Sequence, residues 1–255
     1  MNHAQLIENL TPCVLKAGEK IMEIYGNTDG TRFKKDGSPV TNADTAAEEI
    51  ITSELKRIAP DILIISEENQ SSHLKKPDAK FFLVDPLDGT KEFLKHGGSG
   101  SFTVNIGLIE NQTPVMGIVY APALQRLFCG YYDGGAWETI KGKNKMLSVD
   151  TMHKRKLIAV ASTSHRDKET NEWLEQKNIE TTISIGSSLK FCLVASGEAD
   201  VYPRFSPTME WDTAAGDAIL RSAGGVVTTP NLSNFVYGKE NYKNGPFIAW
   251  GRLRE

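Results

Sequence analysis

Val84-Asp85-Pro86-Leu87-Asp88-Gly89-Thr90 places two carboxylates three residues apart at the end of an apolar run. The residues leading into it, Phe81-Phe82-Leu83-Val84, read as a buried β-strand: short, aromatic and β-branched at its end. Pro86 lacks a backbone donor and bars continuation of a central strand, while Gly89 permits a tight bend. The sequence therefore predicts that the chain leaves a sheet where Asp85 and Asp88 stand, and such a strand end is where open α/β folds place their chemistry. Two carboxylates held together repel unless a cation or a shared proton neutralises them. Hard divalent ions such as Mg²⁺ take oxygen ligands of this kind. Asp-Pro and Asp-Gly are also ordinary turn formers, so this stretch alone leaves a solvated turn equally open.

Other acidic segments bear on the choice. Ile62-Leu63-Ile64-Ile65 is a second strand-like run, ending at Ser66-Glu67-Glu68-Asn69. Downstream, Glu210-Trp211-Asp212-Thr213 precedes a helical run through Ile219 and Leu220, with Asp212 as its expected N-cap. Upstream, Pro39 to Asp44 precedes a helical stretch expected from Thr45 to Ala59. Each acid taken alone reads as a helix cap or a solvated loop residue. Four acidic sites at element ends make independent readings of that kind less comfortable, although sequence alone does not bring them together.

Around these sites the periodicity alternates. Residues 4–25 predict a helix whose apolar face is Leu6, Ile7, Leu10, Val14, Leu15, Ile21 and Met22. Strands are expected at 62–65, 81–84, 101–110, 114–121 and 126–132, followed by two short ones within 136–149. A strand at 156–162, a helix at 167–177, a strand from Ile183 and a helix at 189–196 closed by Gly197 follow. There is no repeat and no low-complexity tract. This order predicts a layered α/β chain with one substantial antiparallel sheet, an N-terminal lobe over 1–150 and a smaller C-terminal α/β lobe over 151–255.

Composition narrows the classes. The 255 residues are 40% hydrophobic and 24% charged, ordinary for a globular chain with a sizeable core. A net charge of -3 gives no electrostatic case for long nucleic acid, though it leaves room for a small phosphate ester held by local cations. Cys13, Cys129 and Cys192 stand in apolar contexts without metal or redox spacing, which predicts buried reduced thiols. No apolar run nears the ~20 residues that span a bilayer. The N-terminus shows no signal-peptide pattern. The expectation is a soluble cytoplasmic protein, monomer or homodimer, with peripheral inner-membrane association left open.

Asp85-Pro-Leu-Asp-Gly-Thr90, Glu67-Glu68 after a hydrophobic strand, and Trp211-Asp-Thr-Ala-Ala-Gly216 resemble the metal-site motifs of the inositol-monophosphatase superfamily of Mg²⁺-dependent phosphatases. Residues 85–93 (DPLDGTKEF), 102–106 (FTVNI), 117–122 (GIVYAP), 186–194 (GSSLKFCLV) and Tyr202-Pro-Arg204 are similar to its CysQ-type 3′(2′),5′-bisphosphate nucleotidase branch. The resemblance spans about residues 5 to 252. It implies the sugar-phosphatase αβαβα sandwich and two or three Mg²⁺ ions. By that resemblance Glu67, Asp85 and the Leu87 carbonyl hold the ion that activates water. Asp85 bridges to a second, completed by Asp88 and Asp212. Thr90 with Asp44 orients and deprotonates the nucleophile, and the amides of Gly89 and Thr90 bind the transferred phosphate.

The same resemblance puts Ser162, His165, Ser187, Ser188, Lys190 and Arg204 near a nucleotide bisphosphate. Lys190 and Arg204 suit a second phosphate, which needs a second cationic site. A lone helical Lys is otherwise a surface residue, His165 reads equally as a loop histidine, and Trp211 as core or as a base contact. There is no P-loop, and Gly97-Gly98-Ser99-Gly100 lacks the strand-to-helix setting of a dinucleotide site. The implied activity is hydrolysis of adenosine 3′,5′-bisphosphate to AMP, a reaction of sulfur metabolism, with sensitivity to Li⁺. An inositol- or sugar-phosphate phosphatase and a non-catalytic nucleotide sensor are the competing readings.

Overall fold

The computed structural model describes residues 2–26, 31–33, 39–95, 100–149, 156–162 and 167–252. The N-terminal amphipathic segment forms helix α1 (His3–Ile24), capped by the Asn2 side chain. Helix α2 (Asn42–Ile58) begins earlier than the predicted Thr45, because Thr41 is its N-cap. The Thr41 hydroxyl accepts from Ala43 N at 3.1 Å, and the Asp44 carboxylate accepts from Thr41 N at 2.7 Å. Asp44 therefore lies inside the first turn, as the returning half of a capping box, and not ahead of the helix.

Seven strands follow in one sheet and in chain order: β1 (Leu63–Ser66), β2 (Lys80–Asp88), β3 (Thr103–Glu110), β4 (Thr113–Ala121), β5 (Arg126–Tyr131), β6 (Gly135–Ile140) and β7 (Lys143–Leu147). Only the β1–β2 pair is parallel; the rest is the expected antiparallel meander. The predicted stop at Val84 does not occur. Asp85 pairs with Asn105 and Asp88 with Thr103, so an extra residue on β2 bulges out between them. Pro86 is tolerated because a bulge does not require its missing N–H. The chain turns only at Gly89, whose φ of 90° leads into the helical turn Thr90–Phe93.

The second half supplies β8 (Ile158–Ser162), α3 (Lys168–Gln176), β9 (Thr181–Ile185), α4 (Leu189–Ala195), β10 (Val201–Arg204), α5 (Ala214–Ser222), β11 (Val226–Thr228) and β12 (Phe247–Trp250). Its sheet runs β9-β8-β10-β12-β11, parallel through the first three strands and antiparallel at β12. The N-cap of α5 is Thr213, not the expected Asp212, whose carboxylate instead turns back onto the preceding residues.

Alternation along β2 assigns the layers. Phe82 and Val84 pack with Leu10, Val14, Ile51 and Leu55 of α1 and α2. Phe81 and Leu83 face the opposite way, into a cluster with Phe191 and Ile219 of α4 and α5 and with Val160 and Phe247 of the smaller sheet. On the far side of that sheet, Ala159, Val201 and Ile248 meet Leu174 of α3. The stack is αβαβα. Each such side chain contributes about 1.5–3 kcal/mol on burial, far more than helix propensity, so the two apolar faces of each sheet decide the layering.

One detail of packing governs the site. Gly107, Gly117 and Gly130 are register neighbours across β3, β4 and β5. A Cβ at these positions would stand 2.8 Å from Ala214 Cβ, 2.1 Å from Ala215 O and 3.0 Å from Ile219 Cα. Helix α5 thus lies directly on the sheet backbone. Cys13, Cys129 and Cys192 are buried and unpaired, as expected. No helix among the described residues is long and apolar enough to cross a membrane.

Candidate active site

Three carboxylates from distant parts of the chain converge. Asp85 is carried within β2 and is buried. Glu67 follows the end of β1 and is drawn beside it by its N–H, which donates to Val84 O at 3.1 Å. Asp212 arrives from the segment before α5, anchored by Met209 N at 2.9 Å and by the Thr208 hydroxyl. One oxygen from each of Glu67, Asp85 and Asp212 lies within 4.8 Å of the others. Burial, followed by the charges of Glu67, Asp88, Asp212 and Glu68, pushes the Asp85 carboxyl well above the usual range.

Asp88 stands outside that triad. Its Oδ2 accepts from Ser188 N at 2.7 Å, across 100 residues of chain. Burial and then Asp212 push it up to about 7, opposed by Lys190 and Arg204. The Ser188 hydroxyl is engaged within the protein: it donates to Asn105 Oδ1 at 2.6 Å and lies 2.9 Å from Thr103 Oγ1. Ser188 reaches the acidic site through its main-chain N–H.

Thr90 Oγ1 lies 3.3 Å from Asp44 Oδ1 and 3.2 Å from the Leu87 carbonyl, so one hydroxyl proton faces two acceptors at long range. The other Asp44 oxygen is held by the Thr41 hydroxyl at 2.6 Å and the Thr41 amide. Burial, outweighing these bonds, raises the Asp44 carboxyl to about 6.

A cavity of about 270 Å³ opens over these groups. Glu67, Leu87, Asp88, Gly89, Thr90 and Asp212 line it on the acidic side. Ser162, Ser187, Lys190 and Arg204 line it as well, together with Tyr202. Lys190 is only 3% exposed, its Nζ 2.5 Å from Ser187 O and 5.3 Å from the centre of the Tyr202 ring. It is therefore not a solvated surface lysine. Arg204 is tethered through Nε to Ser206 O at 3.2 Å and through Nη2 to Pro207 O at 3.1 Å. His165 and residues 97–99 lie outside the described residues.

A profile of the inositol monophosphatase family matches residues 2–253. The chain belongs to that family. Within it the chain is of the CysQ type. The 3′(2′),5′-bisphosphate nucleotidase CysQ of Salmonella typhimurium is 45% identical over 222 residues, 86% of this chain and 88% of its own. That of Buchnera aphidicola is 40% identical over 252 residues, 96% and 93% of the two chains. The crystal structure of CysQ from Bacteroides thetaiotaomicron, a bacterial member of the family, aligns with a TM-score of 0.84 at 38% identity and 98% coverage of both chains.

The donors fit a hard cation. All are oxygens, and the triad gathers acidic groups around a carboxyl that burial pushes well above the usual range. Several supporting residues escaped the sequence reading: Thr41 behind Asp44, Thr208 behind Asp212, and Asn105 behind Ser188. Only the first left a signal, the Thr-x-x-Asp spacing of a capping box.

Proposed function

We propose that this CysQ-type enzyme is a Mg²⁺-dependent phosphatase that removes the 3′-phosphate of adenosine 3′,5′-bisphosphate, yielding AMP and phosphate. One observation carries the reading: Glu67 and Asp212 of the carboxylate triad share a cavity with two cations, Lys190 and Arg204. An acidic end suits metal ions and a basic end suits a second phosphate. Glu67, Asp85, Asp88, Asp212 and the Leu87 carbonyl would hold two or three ions. Bound Mg²⁺ lowers the pKa of water and neutralises phosphate and leaving-group oxygens.

The chain's own residues do the rest. Thr90 Oγ1 orients the attacking water and takes its proton while passing its own to Asp44 Oδ1. A carboxylate raised to about 6 is a better acceptor near neutrality than an ordinary one. The amides of Gly89 and Thr90 donate to the transferred phosphate. Lys190 and Arg204 grip the 5′-phosphate, with Ser162 and Ser187 along the nucleoside.

A phosphate-release panel tests this, comparing adenosine 3′,5′-bisphosphate, 3′-AMP and inositol 1-phosphate with and without Mg²⁺. The bisphosphate should be preferred, and Mg²⁺ required. Asp88→Asn should lower turnover at least ~100-fold, the upper end of what losing even an outer-shell partner costs a metal site. Its fold should survive, since the near-isosteric amide oxygen still accepts from Ser188 N. Near wild-type turnover of this variant at saturating Mg²⁺ would remove Asp88 from the metal site.

A further inference from the structure

The three converging carboxylates are not equally secured. Asp85 sits in the ladder of β2, but Glu67 and Asp212 both lie on segments outside the sheet strands. Between those segments stands the helical turn Gln70–His73. It grips both polar backbone atoms of Ser66, the residue preceding Glu67. Ser66 N donates to Ser72 Oγ at 3.1 Å, and His73 Nε2 donates to Ser66 O at 2.7 Å. The His73 ring also stacks on Trp211, the residue preceding Asp212, with centroids 4.7 Å apart and planes at 22°. Trp211 is 4% exposed and leans on Tyr242, whose hydroxyl donates to Lys75 O at 2.5 Å.

We infer that His73 is a positioning residue for metal binding, clamping the Glu67 strand end to the Asp212 segment through one hydrogen bond and one ring stack. The inference rests on the metal-site reading above. Without a cation, carboxylates within 4.8 Å of one another repel. A segment that can relax will carry its carboxylate away, and binding must then restore it. The clamp removes that freedom in advance, so its loss lowers affinity and not the chemistry of the filled site.

The test is calorimetric titration of the full chain with Mg²⁺ alone, without substrate. His73→Ala should weaken Mg²⁺ binding by about tenfold, the lower end of losses seen for outer-shell partners. His73→Phe keeps a ring on Trp211 but loses the donor, should lose less affinity, and serves as the informative variant if His73→Ala does not fold. In a Trp211→Leu background, His73→Ala should cost less than it does alone, because half the clamp is already gone. Turnover at saturating Mg²⁺ should return close to wild type. Wild-type affinity in His73→Ala, beside a wild type that binds Mg²⁺, would overturn this inference alone. So would a turnover loss that saturating Mg²⁺ leaves unrestored. A wild type that binds no Mg²⁺ would overturn the metal reading and this inference with it.

Discussion

Lys190→Met tests the proposed grip of Lys190 on a 5′-phosphate. The lysine is almost wholly buried, and its ammonium lies against Ser187 O and the Tyr202 ring on the cavity wall. Methionine retains the length and most of the volume of the stem, so the cavity keeps its shape while the charge is lost. A charge-assisted bond to a phosphate is worth about 1.5–3 kcal/mol. At about 1.4 kcal/mol per factor of ten, that is roughly a 10- to 150-fold loss in kcat/KM. Lys190 also opposes the upward shift of Asp88, so the comparison belongs at saturating Mg²⁺. Adenosine 3′,5′-bisphosphate and 3′-AMP share the scissile ester and the nucleoside, and only the first carries a 5′-phosphate. The first should lose the full factor, the second less than about threefold. Equal losses would place Lys190 in the shared machinery, and no loss on either would remove it from a 5′-phosphate site.

Two further outcomes follow from the raised carboxyls of the site. Asp85 lies well above the usual range and Asp88 near about 7, both first through burial, so a cation must displace protons to bind. Mg²⁺ affinity should fall below about pH 7, up to tenfold per pH unit for each proton displaced, and calorimetry in buffers of different ionisation enthalpy should register the release. Pairs of acids raised in the folded state bind more protons there than when unfolded. Metal-free stability should therefore decline as pH climbs from about 4 through 7, and Mg²⁺ should flatten that slope in thermal melts. Gly117→Ala should cost about 3 kcal/mol, because the new methyl would meet Ala215 O at 2.1 Å and no rotamer relieves a backbone clash. That is a drop of about 6–12 °C in Tm for a chain of this size, whereas Gly245→Ala, with open space around it, should stay within about 0.5 kcal/mol.

Much of this molecule was legible from residue order. The unbroken apolar run Phe81-Phe82-Leu83-Val84 marked a buried strand, and the acids at 67 and 212 stood beside element ends, where backbone direction can change. The misreadings were local. Pro86 forbids a ladder bond but not a bulge, so the strand ran on to Asp88. Asp44 and Asp212 were each displaced by one competing cap, since Thr41 and Thr213 occupy the N-cap positions. What stayed hidden depends on register between distant segments. Nothing in the spacing of residues 73 and 211 announces a ring stack, and a serine hydroxyl can be assigned to sheet or cavity only once Asn105 and Thr103 are beside it.

The row formed by Gly107, Gly117 and Gly130 has a consequence for how this protein can vary. Helix α5 rests on the main chain of the sheet through its own backbone and its small Ala214 side chain, so its height leaves no room for a larger residue in the row. Asp85 rides on the sheet and Asp212 on the segment entering the helix, so the height of the helix above the sheet enters their separation. Leucines and phenylalanines elsewhere can be exchanged over many generations without altering that gauge, while one methyl group in the row resets it. A library with these three positions randomised, sorted for Mg²⁺ binding, should come back fixed at glycine in the row.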